Sequence, residues 1–202
     1  MLDVNKSLEF LKLEGYPVAH SFMVESVNEL TEVLKRVQFP IVMKIVSQTQ
    51  THKTDVGGVI TNINSINEAI NAFKKLKRIT KSIMIQEQLN GVELIIGVKK
   101  DPVFNQVIMI GLGGVLVELL KDVSLRVCPI NLNEAKLMIN KLKTYPLLKG
   151  YRGKIGININ LLTKLLVNLS RTAVDNDIKE LDINPLFATD KKLIIVDARL
   201  KL

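Results

Sequence analysis

Two helix-start signals, set among runs of β-branched residues, are the feature that most limits how this chain can fold. Ser26 with Glu29 and Ser65 with Glu68 have the spacing of a capping box, and apolar residues follow each pair at helical spacing. Residues 41–46, after Pro40, form a β-branched run of the kind that favours a strand. Helices and strands therefore alternate in the first half of the chain.

The remaining pattern adds more strands than helices. Further helices are predicted at residues 5–14, at 133–142 and from about 158 to 174, and further strands at 18–24, 59–63, 83–86, 92–98 and 107–110, with strand-like alternation over 115–130. The strands cluster in the middle of the chain, which predicts a mixed α/β or α+β fold rather than a clean doubly wound sheet. A chain of 202 residues can form one large domain or two small lobes, and no linker or internal repeat divides it.

Charge and composition limit the partners. The net charge is +8, which suits nucleic acid, an anionic membrane, polyphosphates or an acidic subunit, and is also usual for a solubilising lysine-rich surface. The lysines are dispersed and aromatic residues are only 4%, so a nucleic-acid arm or stacking platform is not indicated. We therefore expect no nucleic-acid partner.

The cysteine count and the apolar runs bear on the compartment. Cys128 is the single cysteine, so the chain has no internal disulfide and no zinc-type spacing. The first nine residues lack the apolar region of a signal peptide, and no run reaches the ~18 apolar residues of a membrane span. We expect a soluble, cytoplasmic protein without a membrane partner.

Oxygen-bearing side chains near the C-terminus suggest a cation site. Asp182 and Asn184 come just before Pro185, and Asp197 follows in a later β-type run. A strand, a turn at the proline and a returning strand would bring these groups together, and Mg²⁺ prefers such oxygen ligands. A β-hairpin whose carboxylates face solvent would have the same pattern.

Basic and glycine-containing features in the first half suggest phosphate binding. Lys44 lies within an apolar strand, where it must meet an anion or reach solvent because an unpaired buried cation is costly. An outward-facing lysine on an edge strand is the alternative. The loop before the next strand contains His52, Gly57 and Gly58, a composition that can wrap a phosphate although it lacks P-loop spacing. His52 is either a surface histidine or a nucleophile towards a phosphoryl group.

A strand–turn–strand junction follows the second helix. Glu87 and Leu89 lie just before Gly91, and Glu93 lies just after it. The backbone of such a hinge can hydrogen-bond the edge of an adenine, and a carboxylate can hold ribose hydroxyls. A surface hairpin would look the same.

The order of these features resembles an ATP-grasp domain, and more narrowly the ATP-grasp (beta) part of ADP-forming acyl-CoA synthetases, the acetate:CoA ligase (ADP-forming) family. Eight colinear motifs carry the resemblance, at residues 42–47, 52–59, 91–98, 111–114, 117–124, 145–153, 180–186 and 196–199. The resemblance covers about residues 14–202. It implies two α/β lobes clasping a nucleotide, in a single domain of residues 1–202 whose lobe of about 18–86 is inserted in a lobe made of 1–17 and 87–202.

The resemblance also implies roles for individual residues. Lys44, Gly57 and Gly58 would bind the phosphates of ATP or ADP, the backbones of Glu87 and Leu89 would flank the adenine, and Glu93 would bind the ribose. Asn184 and Asp197 would ligate Mg²⁺, with Asp182 as a further ligand or as a partner of a basic group; in other ATP-grasp enzymes a glutamate usually occupies the position of Asp182. His52 would relay the phosphoryl group, and Glu118 and Arg126 would have supporting roles.

The implied function is the nucleotide half of the reaction acyl-CoA + ADP + phosphate ⇌ acid + CoA + ATP, by transfer between a phosphohistidine and ADP. The implied partner, in a hetero-oligomer, is a CoA-binding alpha subunit that carries the phosphohistidine. A non-catalytic nucleotide-binding or scaffold subunit is one alternative. Another is a succinyl-CoA synthetase-like beta subunit, which we would expect to have a further C-terminal domain.

Overall fold

The computed structural model describes residues 2–46, 57–114, 122–151, 153 and 155–202. The chain divides into two compact units. One, called here the large unit, consists of residues 1–2, 6–18 and 90–202, and the other, the small unit, consists of residues 3–5 and 19–89. The organisation as one domain with an inserted lobe stays a prediction.

The small unit is a four-stranded antiparallel sheet with two helices. Its strands are β1 (Ser21–Val24), β2 (Ile41–Ile45), β3 (Val59–Ile63) and β4 (Ile83–Glu87), and its helices are α2 (Val27–Leu34) and α3 (Ile66–Leu76). The strand order is β1-β4-β2-β3. Strands β2 and β4 are therefore internal, and each is hydrogen-bonded on both sides.

Local capping chemistry fixes where the two helices of the small unit begin. The hydroxyl of Ser26 accepts a hydrogen bond from the backbone N–H of Glu29 at 3.2 Å, and Ser65 does the same for Glu68 at 3.3 Å. Both predicted helix starts are thus confirmed, because side chains satisfy N–H groups that have no partner within the helix. The buried side chains of both helices pack on one face of the sheet, in a cluster with Ile41, Met43, Ile45, Ile83 and Ile85.

The large unit is a six-stranded antiparallel sheet with helices. Its strands are β5 (Val92–Asp101), β6 (Asn105–Leu112), β7 (Val123–Val127), β8 (Glu180–Ala188), β9 (Leu193–Ile195) and β10 (Ala198–Lys201). The helices are α1 (Val4–Leu13, most of which belongs to this unit), α4 (Leu132–Asn140), α5 (Tyr145–Lys149) and α6 (Ile159–Asp175). The order is β10-β8-β5-β6-β7, and β9 pairs with β8.

The strand register gives this six-stranded sheet two different faces. Buried apolar residues alternate along β5, β6 and β8, and helices α4 and α6 contact β7 and β6. The intervening residues form the other face, here called the open face. One row across it consists of successive register partners on β7, β6, β5, β8 and β10: Leu125, Met109, Gly97, Asp182 and Arg199. Residues that are directly opposite in a sheet point to the same side, so this row lies on one face.

Three predictions about local structure are corrected. Pro185 lies inside β8 and not at a turn; the chain reverses after Ala188 and returns as β9. The helix predicted over residues 133–142, with Asn133 as its cap, is α4, whose N-cap is instead Asn131; Asn131 forms a complete capping box with Glu134. Of the strand-like stretch 115–130, residues 115–121 lie outside the described residues, and Val123–Val127 forms β7. Within the described part of the chain, no helix is long and apolar enough to cross a membrane.

Candidate functional site

Lys44 lies on an internal strand. Strand β2 is flanked by β4 and β3, and Lys44 is only 4% exposed. The alternative of an outward-facing lysine on an edge strand is therefore wrong. Its register partners are Met84 on β4 and Val59 on β3. A cation is thus held within a rigid sheet, where a low effective dielectric strengthens its interaction with any anion that it meets.

The glycine pair lies beside the strand that carries this lysine. Gly57 has a φ of +66°, a conformation that favours glycine, and Gly58 comes directly before β3. The carbonyl of Gly58 accepts a hydrogen bond from the backbone N–H of Ile45 at 2.9 Å. The structure therefore brings the predicted phosphate-binding lysine on β2 beside the glycines that lead into the neighbouring strand β3. His52 and Glu118 lie outside the described residues.

A buried glutamine shares the face of the small sheet on which Lys44 lies. Gln86 pairs with Val42, and both belong to the side of the sheet opposite the apolar cluster. Gln86 is 1% exposed, and its Nε2 donates to the hydroxyl of Ser21 at 2.7 Å. Sequence reasoning did not single out Gln86, although a glutamine within an otherwise apolar strand run is a signal that could have marked it.

The hinge residues lie at the far end of β4. Glu87 pairs with Ile41, three residues along β2 from Lys44, which corresponds to about 10 Å along the strand. Gln88 between the two predicted adenine-flanking residues is held by three hydrogen bonds: its N–H donates to the carbonyl of Pro40, and its side chain exchanges two bonds with Asn62. The backbone from Glu87 to Leu89 is thus fixed, as a hydrogen-bonding edge for a base requires.

Glu93, the predicted ribose ligand, is contacted by Gly113 and Gly114, which end the motif at residues 111–114 and are called here the glycine turn. The N–H of Gly113 donates to the carbonyl of Glu93 at 2.6 Å. A Cβ atom on Gly113 would lie 2.9 Å from the carbonyl carbon of Glu93, and one on Gly114 would lie 3.2 Å from its Oε2. Only glycine allows this approach, so the turn that the family resemblance marked is a support for Glu93.

The three predicted cation ligands come together where β8 meets β10. The N–H of Asn184 donates to the carbonyl of Asp197 at 3.1 Å, Asp182 pairs with Arg199, and Asp197 precedes β10 directly. The side chain of Asn184 is exposed, and those of Asp182 and Asp197 are partly exposed. The register of β10 on β8, and not a turn at Pro185, brings Asp197 back.

Electrostatics at this junction favour a cation. Burial raises the pKa of the Asp182 carboxyl above its ordinary value; the guanidinium of Arg199 opposes this rise, and the carboxylates of Asp197 and Glu180 add to it. Carboxylate and amide oxygens gathered in this way fit Mg²⁺, which would relieve the repulsion between the carboxylates. In the described ranges no three His, Cys, Asp or Glu side chains gather as a metal cluster. The candidate magnesium ligands are not a cluster of that type, because they are two carboxylates and one amide.

Comparison with known proteins defines the class. The ATP-grasp domain family matches residues 1–202, the whole chain. The predicted fold, a mixture of helices and antiparallel sheets of the ATP-grasp type, is confirmed.

Individual relatives show to which family of ATP-grasp proteins the chain belongs. The beta subunit of acetate–CoA ligase (ADP-forming) I from Pyrococcus furiosus is 40% identical, over 96% of this chain and 88% of its own length. The acetate–CoA ligase (ADP-forming) II of Archaeoglobus fulgidus is 37% identical, and this chain spans 97% of itself but 29% of that relative. The chain belongs to the ADP-forming acetate–CoA ligase family, in which it corresponds to the beta subunit.

Solved structures agree with this assignment. The acetyl-coenzyme A synthetase 1 of Ca. Korarchaeum cryptofilum, in complex with coenzyme A, Ca-AMPCP and HgCl+, has a TM-score of 0.93 and 39% identity, covering 100% of this chain and 93% of that chain. A second structure of that enzyme contains coenzyme A and Mg-AMPPCP, with its phosphohistidine segment pointing towards the nucleotide binding site; it matches with a TM-score of 0.86 and 38% identity, covering 98% of this chain and 91% of that chain.

Proposed function

We propose that this chain is the nucleotide-binding beta subunit of an ADP-forming acyl-CoA synthetase. It transfers a phosphoryl group between a phosphohistidine and ADP within the overall reaction acyl-CoA + ADP + phosphate ⇌ acid + CoA + ATP. The observation that carries the proposal is the 40% identity to a beta subunit of which this chain covers 88%. The buried Lys44 beside the glycine pair, and the oxygen ligands on the other unit, are the chemical groups that such a transfer needs.

The residues of the small unit bind and position the nucleotide. Lys44 neutralises charge on the phosphates, Gly57 and Gly58 offer backbone N–H groups, and the fixed backbone at Glu87 and Leu89 receives the adenine. Phosphoryl transfer involves little covalent chemistry by the protein, so positioning and electrostatic stabilisation supply most of the rate. A cation that is already held in a sheet needs little reorganisation when charge develops in the transition state.

The residues of the large unit hold the ribose and the metal. Glu93 accepts hydrogen bonds from ribose hydroxyls, and Asn184 and Asp197 ligate Mg²⁺, with Asp182 beside them. Bound Mg²⁺ neutralises charge on the phosphate oxygens and orients them for in-line displacement. Burial raises the pKa of Asp182, and a cation bound beside it would oppose this rise by stabilising the ionised carboxylate.

The transfer takes two steps, and each breaks one P–N bond. By family resemblance, His52 first takes the phosphoryl group from a phosphohistidine on a CoA-binding alpha subunit, which forms a new P–N bond, and the β-phosphate oxygen of ADP then attacks the phosphorus on His52, which forms the new P–O bond of ATP. His52 loses a proton to solvent when it attacks, and each departing histidine nitrogen takes up a proton from solvent and is left neutral. The alpha subunit and this chain form a hetero-oligomer, and the choice of acid resides in the alpha subunit.

The test is reconstitution. The chain is co-expressed with the CoA-binding protein of the same organism, and ATP formation is measured from acetyl-CoA, ADP and phosphate with Mg²⁺. We expect ATP formation that requires both proteins, and ³²P-labelled histidine on the partner after incubation with labelled ATP. Nucleotide binding without any labelled histidine would instead indicate a non-catalytic, nucleotide-sensing subunit.

His52 is tested in the same assay. His52→Ala is expected to stop phosphoryl transfer between the partner and ADP, with nucleotide binding retained. His20→Ala is the matched control, because it replaces the other histidine of the chain. Normal ATP formation by His52→Ala would show that this histidine is not a relay.

A further inference from the structure

Strand β7 carries exposed apolar side chains on the open face of the large unit. Val123, Leu125 and Val127 are 38%, 52% and 47% exposed, and they are called here the β7 strip. They alternate with Ser124 and Arg126, and their register partners on β6 are Gly111, Met109 and Val107. Since β-strand side chains alternate between faces, all three side chains of the strip point to the same side of the sheet.

The strip also lies at the edge of the sheet. In the described part of the chain, β7 pairs with β6 and with no second strand. An edge strand with a row of exposed apolar side chains is a template for association, and proteins normally protect such edges with charges, proline or a covering element. The residues of the strip are all aliphatic, and contiguous exposed apolar side chains mark interaction surfaces.

The register places this strip on the same face as the candidate metal ligands. Leu125, Met109, Gly97 and Asp182 are successive partners in one row across β7, β6, β5 and β8. Three strand spacings of about 4.8 Å separate Leu125 from Asp182 by about 14 Å. A macromolecule that delivers a phosphoryl group to this junction must approach the open face, and the strip is an apolar surface on that approach.

We propose that the β7 strip is a docking surface for the phosphohistidine-bearing CoA-binding subunit. This inference rests on the proposed function, which requires such a subunit to reach the open face. The Archaeoglobus fulgidus relative supports it, because the region matched by this chain is 29% of that single polypeptide. In that relative the matched region is part of a longer chain, whereas the function proposed here requires a separate subunit that must find its partner through a surface. Apolar side chains at the centre of an interface supply that kind of affinity.

The test measures assembly separately from catalysis. Leu125→Glu and Val127→Lys each place a charge on an exposed position, so both variants should fold and bind Mg-ADP as the unaltered chain does. The partner is the CoA-binding protein of the same organism that co-purifies with the unaltered chain. We expect both variants to weaken its association by about 30-fold or more, as the dissociation constant from biolayer interferometry shows.

The matched control is Leu13→Glu. Leu13 is an exposed leucine, 82% accessible, at the end of α1 and outside the strip. It should leave association unchanged, because a charge there removes no apolar contact from the proposed interface. Circular dichroism and Mg-ADP titration of each isolated variant establish that the fold and the nucleotide site are intact.

The outcomes separate this inference from the proposed function. Association of Leu125→Glu and Val127→Lys with unaltered affinity would overturn the docking surface while leaving the function in place. Loss of self-association of the isolated chain in these variants, with partner binding retained, would assign the strip to a second copy and also overturn it. If the strip variants lose binding but the unaltered complex transfers no phosphoryl group, the docking surface stands and the proposed function fails.

Discussion

The two sheets of this protein place their polar side chains in different environments. The small sheet buries side chains on both faces of its internal strands: an apolar cluster on one side, and Lys44 and Gln86 on the other. The large sheet buries one face and leaves carboxylates, an amide and apolar residues accessible on the other. The comparison teaches that a fixed cation and exposed oxygen ligands need opposite environments. A lysine gains from being held in place, whereas metal ligands must be reached by a hydrated ion.

The largest expected effect on the rate of ATP formation comes from replacing one of the predicted oxygen ligands of the metal. Asp197→Ala should lower the rate of ATP formation by about 10³-fold while leaving the fold intact, because it removes a metal ligand from an accessible position. The measurement is kcat with the reconstituted partner at saturating Mg-ADP, with thermal unfolding in parallel. Asp190→Ala, at an exposed carboxylate in the turn before β9, is the control and should retain full activity. Retained activity of Asp197→Ala would refute the metal assignment.

The buried cation should matter slightly less to the rate, and it tests the other sheet. Lys44→Met keeps the aliphatic stem and removes the charge, so we expect about a 10²-fold loss of ATP formation. Calorimetric unfolding, measured in parallel, shows whether stability changes as well. Lys99→Met, at an exposed lysine on β5, is the matched control. A drop in melting temperature together with unaltered kcat would mean that Lys44 is structural, and the contrast between the sheets would fail.

A third substitution, at Asp122, tests how much a buried carboxylate of the large unit contributes to the free energy of unfolding. The buried Asp122 accepts hydrogen bonds from the N–H of Lys143 and from the N–H and hydroxyl of Thr144. Burial alone would raise the pKa of Asp122, but these hydrogen bonds outweigh it and hold the pKa below the ordinary 3.8. Asp122→Asn should therefore cost about 2 kcal/mol of unfolding free energy at neutral pH.

The pH dependence gives this third prediction its sign. Because the folded pKa of Asp122 is depressed, its stabilisation is complete above pH 3.8 and is lost as the pH falls through the folded pKa. Urea unfolding at neutral pH and at about pH 3 should show that the difference from Asp122→Asn shrinks in acid. Asp190→Asn is the control. A difference that is the same at both pH values would mean that the charge of Asp122 contributes nothing.

The smallest expected effect concerns the glycine turn at Glu93. Gly113→Ala forces a shift of the Glu93 backbone, because the new Cβ would lie 2.9 Å from its carbonyl carbon. We expect a loss of about 1 to 2 kcal/mol in stability and a several-fold rise in KM for ADP, with kcat little changed. Gly97→Ala is the control, since its nearest neighbour is the flexible end of Met109 at 3.3 Å. Equal effects of the two variants would show that Glu93 is not specifically supported by the turn.

Family motifs made the fold and the function predictable, and local signals made many elements predictable. The helix starts at Ser26 and Ser65 depend on contacts three residues away, so they can be predicted without knowledge of the rest of the chain. The prediction of a turn at Pro185 was wrong for the opposite reason. Proline is a turn signal in isolation, but here the pairing of β8 with β5 continues on both sides of it. The site residues as a set stay a prediction.

The sequence by itself determined the class of fold, most helix starts and the order in which chemically useful residues follow one another. Only the tertiary structure decided that Lys44 is internal and not at an edge, that Asp197 returns beside Asn184, and that Leu125 shares a face with Asp182. The physical reason is the range of the interactions. Capping and periodicity act within a few residues, whereas strand order and register depend on how the whole sheet buries one face against its helices.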